Sequence, residues 1–186
     1  IKQNHNRIDY LVNNAGIGYS GIAKEKVINT NVFGTINFTE FLLKENLIAE
    51  HGKIITTGSE LGNFGVVGKY GNKFRNCKNV DDVFNVANQY LKEDWHCGAY
   101  SPYAVSKLLL HVYVKNLGVR DDIIKKDIST YTQIPGWCRT DMGGSMATFS
   151  AEHGAEVALY LVNLKDGINN EIQGKAFDNI NAVNVS

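Results

Sequence analysis

Ile8-Asp9-Tyr10-Leu11-Val12-Asn13-Asn14-Ala15-Gly16 is the stretch on which the fold turns. Residues Ile8–Asn13 are short and largely apolar and are closed by asparagine, alanine and glycine, the pattern of a buried strand running into a small-residue turn. Two further segments have the same form. Residues 53–57 are closed by Gly58-Ser59, and residues 128–134 are closed by Pro135-Gly136. A weaker strand follows Gly174 at 175–177. Helical patterns separate these runs. Residues 23–47 carry Val27, Ile28, Val32, Ile36, Phe41 and Leu43 at helical intervals. The segment 102–117 has Ser101 as an N-cap candidate and Pro102 at the first helical position. The segment 151–164 follows Ser150 and holds Glu152 in its first turn, where the helix dipole favours an acid. Strand and helix in alternation imply parallel strands covered by helices, an α/β fold.

One stretch breaks the alternation. Residues 62–100 lie between a strand and the next helix, with glycines at 62, 65, 68 and 71 and a short helical pattern over 80–91. A segment of that length between core elements is a functional loop or an insertion.

Composition narrows the function classes. The 186 residues are 44% hydrophobic and 20% charged, with 19 Lys+Arg against 19 Asp+Glu. One domain of this size can bury a sizeable core. Zero net charge argues against a nucleic-acid binder, which needs a basic face. The apolar runs are too short to span a bilayer. Cys77, Cys97 and Cys138 have no C-x-x-C spacing, so neither a disulfide framework nor a zinc site is expected, and reduced thiols in the cytoplasm are. The five histidines are scattered, and no metal site is expected. The first residues, Ile1 to Arg7, read neither as a signal peptide nor as an initiator, so the expectation is a start inside a longer protein.

Gly16-Ile17-Gly18-Tyr19-Ser20-Gly21 matches G-x-G-x-x-G after a strand and before a helix. The dinucleotide fingerprint also needs an acid at the end of the next strand, roughly 20 residues on. Here Glu60 lies about twice that distance away. The motif is therefore set aside.

Tyr103-Ala104-Val105-Ser106-Lys107 places a phenol and an ammonium on one helical face, where a cation lowers the phenol's pKa toward the range of useful proton transfer. Alone the spacing says little, since nine tyrosines in this chain make roughly 0.7 such matches by chance. Its setting is more telling. Asn14, Ser59 and Pro135-Gly136 close successive strands, and ligands of open parallel sheets bind at strand carboxyl ends.

With Asn13-Asn14-Ala15-Gly16, Asn31, Ser59 and Tyr103/Lys107 in this order, the chain resembles the short-chain dehydrogenase/reductase family. Within it, Ile134-Pro135-Gly136-Trp137-Cys138-Arg139-Thr140-Asp141-Met142 and Ser150-Ala151-Glu152-His153-Gly154-Ala155-Glu156 are similar to stretches of the carbonyl reductases. The resemblance covers about residues 8–178. It implies the C-terminal part of a Rossmann-like, doubly wound parallel sheet, about four strands of seven, with helices on both faces. The 186 residues would form one incomplete NAD(P)-binding domain, with 62–100 as an insertion between the catalytic serine and tyrosine. The family's glycine-rich turn and the residues that separate NAD from NADP are expected upstream of Ile1.

The implied activity is NADPH-dependent reduction of an aldehyde, ketone or quinone. The resemblance makes Tyr103 the proton donor and Ser59 the group that hydrogen-bonds the substrate oxygen. Lys107 would depress the Tyr103 pKa and hold the nicotinamide ribose, and Asn31 would hold a water of the proton relay. Asn14, Ala15 and Gly16 would line the adenine-side ribose. Pro135, Gly136, Cys138, Arg139 and Thr140 would sit by the nicotinamide. Trp137, Met142 and Met146 are candidates for the substrate pocket, or for plain core packing. Ser59 and Tyr103 are 44 residues apart, as in monomeric carbonyl reductases, which implies a monomer. The segment between Gly16 and Asn31 is shorter than in the mammalian-type enzymes, so their substrates do not carry over. The alternative is a truncated or non-catalytic protein of the same fold, acting as sensor or scaffold.

Overall fold

A computed structural model describes residues 7–18, 20–95, 97–98, 100–178 and 181–183. The described strands are β1 (Ile8–Asn13), β2 (Ile48–Thr57), β3 (Ser129–Ile134), β4 (Ala176–Asp178) and β5 (Asn181–Val183), in that order across one sheet. The first four are parallel, and β5 returns antiparallel beside β4. The expected α/β architecture is thus present, with helices on both faces.

The sequence expectation for the second strand began at residue 53, because His51-Gly52 reads as a turn. In the structure β2 begins at Ile48 and absorbs residues 49–52 as a bulge. Pairing with β1 steps from Ile8–Ile48 to Tyr10–Lys53. His51 takes a φ of 61° there, and Gly52 packs so closely that a β-carbon would lie 2.9 Å from the Ala49 carbonyl.

Successive residues of a strand face opposite sides of a sheet, and β2 shows it. Ile54 joins a large apolar cluster with Ile28, Val32, Leu108 and Leu109. Its neighbour Ile55 joins a smaller one with Tyr131, Val157, Leu161 and Phe177. The first cluster lies under α1 (Lys24–Ile28), α2 (Thr35–Lys44), α4 (Val80–Lys92) and α5 (Tyr103–Leu117). The second lies under α7 (Ala151–Asn163). Helix α5 is apolar all round from Leu108 to Val114 except at His111, and all of residues 104–114 are buried. Such a helix belongs in the centre of a fold.

Residues 24–44 are helical throughout, as expected, but not α-helical throughout. Between α1 and α2, Asn29–Gly34 makes a π-helical segment. The helix expected over 102–117 starts at Tyr103, and its N-cap position is Pro102, with no side-chain cap. Ser101, expected as the cap, instead hydrogen-bonds the Tyr90 hydroxyl at 2.5 Å. Ser150 does cap α7, accepting from the His153 N–H at 3.1 Å.

The 62–100 segment folds into a 3₁₀ turn (Phe64–Tyr70), α3 (Gly71–Arg75) and α4. It is pinned by Trp95, which stacks on Tyr70 at 4.6 Å and meets Phe74 and Tyr90 edge-on. The short α6 (Asp121–Lys125) leads from α5 into β3.

Candidate active site

The carboxyl ends of β1, β2 and β3 converge on the first three turns of α5. Asn13 and Asn14 close β1 and point different ways. The Asn13 amide donates to Thr39 of α2 at 2.9 Å. The Asn14 carbonyl oxygen accepts from the Thr57 hydroxyl at 2.9 Å. Thr57 in turn accepts from Gln133 Nε2 at 2.7 Å. Adjacent strand ends are therefore tied by a chain of polar side chains, and Asn14 and Ala15 stay exposed.

The π-helical segment explains Asn31. The wider turn carries its side chain back onto the loop after β1, and such single π turns recur at functional sites. Asn31 is buried. Its Oδ1 accepts from the Ile17 N–H at 2.8 Å, and its Nδ2 donates to the Ile17 carbonyl at 2.9 Å and to Ser106 Oγ at 3.1 Å. The side chain is spent on the loop and on α5, so the structure makes it a staple of the 14–17 loop.

Gly16 lies at the centre of this junction. A methyl group there would come 3.3 Å from Asn31 Oδ1 and 3.7 Å from Lys107 Nζ. The bare backbone is what leaves room above the ammonium.

Tyr103, Lys107 and His111 lie four residues apart on α5 and so share one face. The Lys107 ammonium donates to the Thr57 carbonyl at 2.8 Å and sits 5.5 Å from the centre of the Tyr103 ring. The Tyr103 phenol hydrogen-bonds the Ser59 side chain. Ser59 Oγ also accepts from the Leu61 N–H at 3.2 Å. The structure thus brings together four of the expected residues, Asn31, Ser59, Tyr103 and Lys107, with Gly16 beside them.

The expected electrostatics need one correction. Burial pushes the Tyr103 phenol above its ordinary pKa, with the Ser59 hydrogen bond pulling the other way. The Lys107 ammonium faces the ring and hydrogen-bonds the Thr57 carbonyl. Burial also draws Lys107 itself down to about 8. An ammonium is disfavoured in a low-dielectric site. The unfolded chain keeps its proton up to the ordinary value of 10.5. Burial of the charged lysine therefore costs stability below pH 8, and the cost is relieved between pH 8 and 10.5. Lys107→Met should unfold later than the wild type at pH 7, by about 1–3 kcal/mol, with the gap closing by pH 10. Denaturant titrations at the two pH values check this.

The segment after β3 is built from its own backbone. Trp137 and Arg139 pair with Phe149, and the Arg139 guanidinium donates to the carbonyls of Ala147 and Thr148. Cys138 turns its thiol to the Pro135 carbonyl at 3.2 Å, against the start of α7. Both side chains are thereby committed within the segment. Pro135 and Gly136 are half-buried, and Thr140 is exposed, accepting from the Gly143 N–H at 3.2 Å. Trp137 is 54% exposed, Met142 55% and Met146 83%, which rules out core packing for all three. Met142 lies against Gly18, its Cγ 3.4 Å from where a β-carbon would be, so this segment touches the loop after β1. Tyr19, in the set-aside glycine motif, lies outside the described residues.

Sequence reasoning missed Thr57, Ser106, Gln133 and His111. Ser106 links Asn31 to α5, its hydroxyl donating to the Tyr103 carbonyl at 2.6 Å. Gln133 is buried, and its Oε1 has no partner among the described residues. A polar residue in an otherwise β-branched strand end was the available signal for Gln133. His111, the one polar residue in an apolar helical run, was equally visible.

Serine, tyrosine and lysine thus cluster at the carboxyl edge of the parallel sheet, as the resemblance to the short-chain dehydrogenase/reductase family implies. Residues 1–71 match the family model for short chain dehydrogenase. It is 28% identical to rat (Rattus norvegicus) carbonyl reductase [NADPH] 1 over 188 residues, covering 90% of this chain and 66% of the rat protein. It is 30% identical to the pig (Sus scrofa) carbonyl reductase [NADPH] 1, covering 88% of this chain and 63% of that one. The chain thus spans just under two thirds of the length of these curated relatives. Among solved structures, salutaridine reductase from Papaver somniferum is similar with a TM-score of 0.78, 21% identity, and coverage of 95% of this chain and 74% of that one.

Proposed function

We propose that the protein reduces a small-molecule aldehyde, ketone or quinone to the alcohol, with NADPH as the hydride source. The observation that carries this reading is the Ser59–Tyr103 hydrogen bond with the Lys107 ammonium against the phenol ring.

The residues present suit a nicotinamide cofactor. Gly16 leaves bare backbone beside the Lys107 ammonium, and nearby on β3 the buried Gln133 Oε1 lacks a partner among the described residues. Lys107 and Tyr103 would hold the nicotinamide ribose. Asn14 to Gly16 would line the other ribose, and Pro135, Gly136 and Thr140 would border the nicotinamide. When bound, the cofactor supplies the hydride.

The chain's own groups do the rest. Tyr103 gives its phenolic proton to the carbonyl oxygen as negative charge builds there. Ser59 hydrogen-bonds the same oxygen and stabilises that charge. Lys107 stabilises the phenolate that remains. Asn31 fixes the 14–17 loop over the ammonium. Trp137 and Met142, exposed and apolar, border the entrance for an apolar substrate.

The 62–100 segment packs α4 against α5 and buries that helix's outer face, which favours a monomer. Cys77, Cys97 and Cys138 are free thiols, which suits the cytoplasm. No described helix is long and apolar enough to cross a membrane.

The test is direct. The native polypeptide, given NADPH and a panel of quinones, aldehydes and ketones, is expected to consume cofactor and yield alcohol or hydroquinone in equal amounts. Cofactor binding without consumption across the whole panel would sink the reductase reading.

A further inference from the structure

His111 lies one turn beyond Lys107 on the catalytic face of α5 and has no part in the chemistry described so far. It is 6% exposed. Its Nε2 accepts a hydrogen bond from the backbone N–H of Ser59 at 3.3 Å. A ring nitrogen that accepts carries no proton, so a neutral ring holds its proton on Nδ1. That atom makes no hydrogen bond of ordinary geometry among the described residues. Burial first, then the neighbouring Lys107 ammonium, push the ring's pKa down to about 4, with the Gly62 backbone opposing them. The imidazole is therefore neutral at any working pH.

The ring fills the space beside Gly58. A β-carbon on Gly58 would lie 2.1 Å from His111 Nε2. The strand end comes this close to α5 because residue 58 has no side chain and residue 111 has a flat ring with an acceptor at its tip. A leucine or valine, which would suit the surrounding apolar helix, offers no acceptor, and the partly buried Ser59 N–H would then lose this partner.

We propose that His111 is a positioning residue for Ser59: by accepting the Ser59 N–H, it fixes the Gly58–Ser59 turn and so holds the serine hydroxyl on the Tyr103 phenol. The Ser59 N–H to His111 then acts together with the Leu61 N–H on Ser59 Oγ and the Gly62 N–H on the Ser59 carbonyl to hold the residue. The proposal rests on the reductase reading for its kinetic consequence, and on geometry alone for the contact.

The experiment separates the two. Nitrogen-15 imidazole spectra of the native protein are expected to give His111 as the neutral tautomer protonated at Nδ1. A ring protonated at Nε2 overturns the proposal whatever the activity. For the consequence, His111→Leu should lower kcat about 100-fold, the scale of a misplaced reacting group, with KM for the carbonyl and NADPH affinity within about twofold. His111→Gln, whose amide oxygen can reach the Ser59 N–H, should recover at least tenfold of that loss. An unchanged kcat in His111→Leu, or a glutamine variant no better than leucine, overturns it. Should His111→Leu fail to fold, the glutamine variant is compared with His111→Met, and the tautomer measurement stands by itself. A native protein without turnover defeats the reductase reading and leaves the tautomer to decide the contact.

Discussion

Tyr103→Phe should cut carbonyl reduction by about 10²–10⁴-fold, the usual contribution of a positioned proton donor, while NADPH binding weakens by no more than about tenfold, the worth of one ribose hydrogen bond. The change deletes one oxygen atom. The ring stays between Ser59 and Lys107, and the Lys107 hydrogen bond to the Thr57 carbonyl is untouched. Stability should move little, because the phenol is buried and raised in pKa by that burial, so losing its hydroxyl removes a desolvation cost along with one hydrogen bond. Steady-state turnover and a fluorescence titration of NADPH check the two halves of the expectation. Turnover surviving within threefold would remove Tyr103 as the donor.

Gly58→Ala should be as damaging by a different route. The new methyl would lie 2.1 Å from His111 Nε2 and 2.5 Å from Thr132 Cγ2, both in packed surroundings. Overpacking of this kind costs about 1–3 kcal/mol. For a chain of this size that is a fall in Tm of about 2–4 °C per kcal/mol. The strand end must move away from α5 to relieve the clash, and Ser59 moves with it. Turnover should therefore drop about 100-fold in folded protein. A melt and a rate measurement on the same sample test both, and an unshifted Tm would mean that the Gly58 approach is looser than described.

Three of the four parallel strands were legible because each ends in the same signal, an apolar or β-branched run closed by glycine, asparagine or proline, and the fourth only from the glycine before it. The start of β2 was not, since His51-Gly52 mimics a turn and only pairing with β1 tolerates it as a bulge. The π-helical segment was also hidden. Asn29–Gly34 has the periodicity of an ordinary helix, and the wide turn is revealed only by where the Asn31 side chain goes. The residues proposed for the chemistry were readable from order and spacing. The roles of the residues that hold them, namely Thr57, Ser106, Gln133 and His111, were not, because those roles come from contacts across 50 or more positions of sequence. The direction of the Tyr103 pKa also escaped sequence reasoning, since desolvation depends on everything packed around the phenol and not on the lysine four residues away.

Helix α5 acts as a ruler. Tyr103, Lys107 and His111 are read off at equal intervals, each about 6 Å further along its axis. One residue added or lost between them would swing the later groups about 100° around the helix, out of the cleft and into the apolar cluster. No compensating substitution restores a helical phase. Residues 62–100 and the backbone-paired turn around Trp137 and Phe149 carry no such phase. Change of length is affordable there, so new substrate preferences are best sought by varying those two segments while α5 is left at its present count.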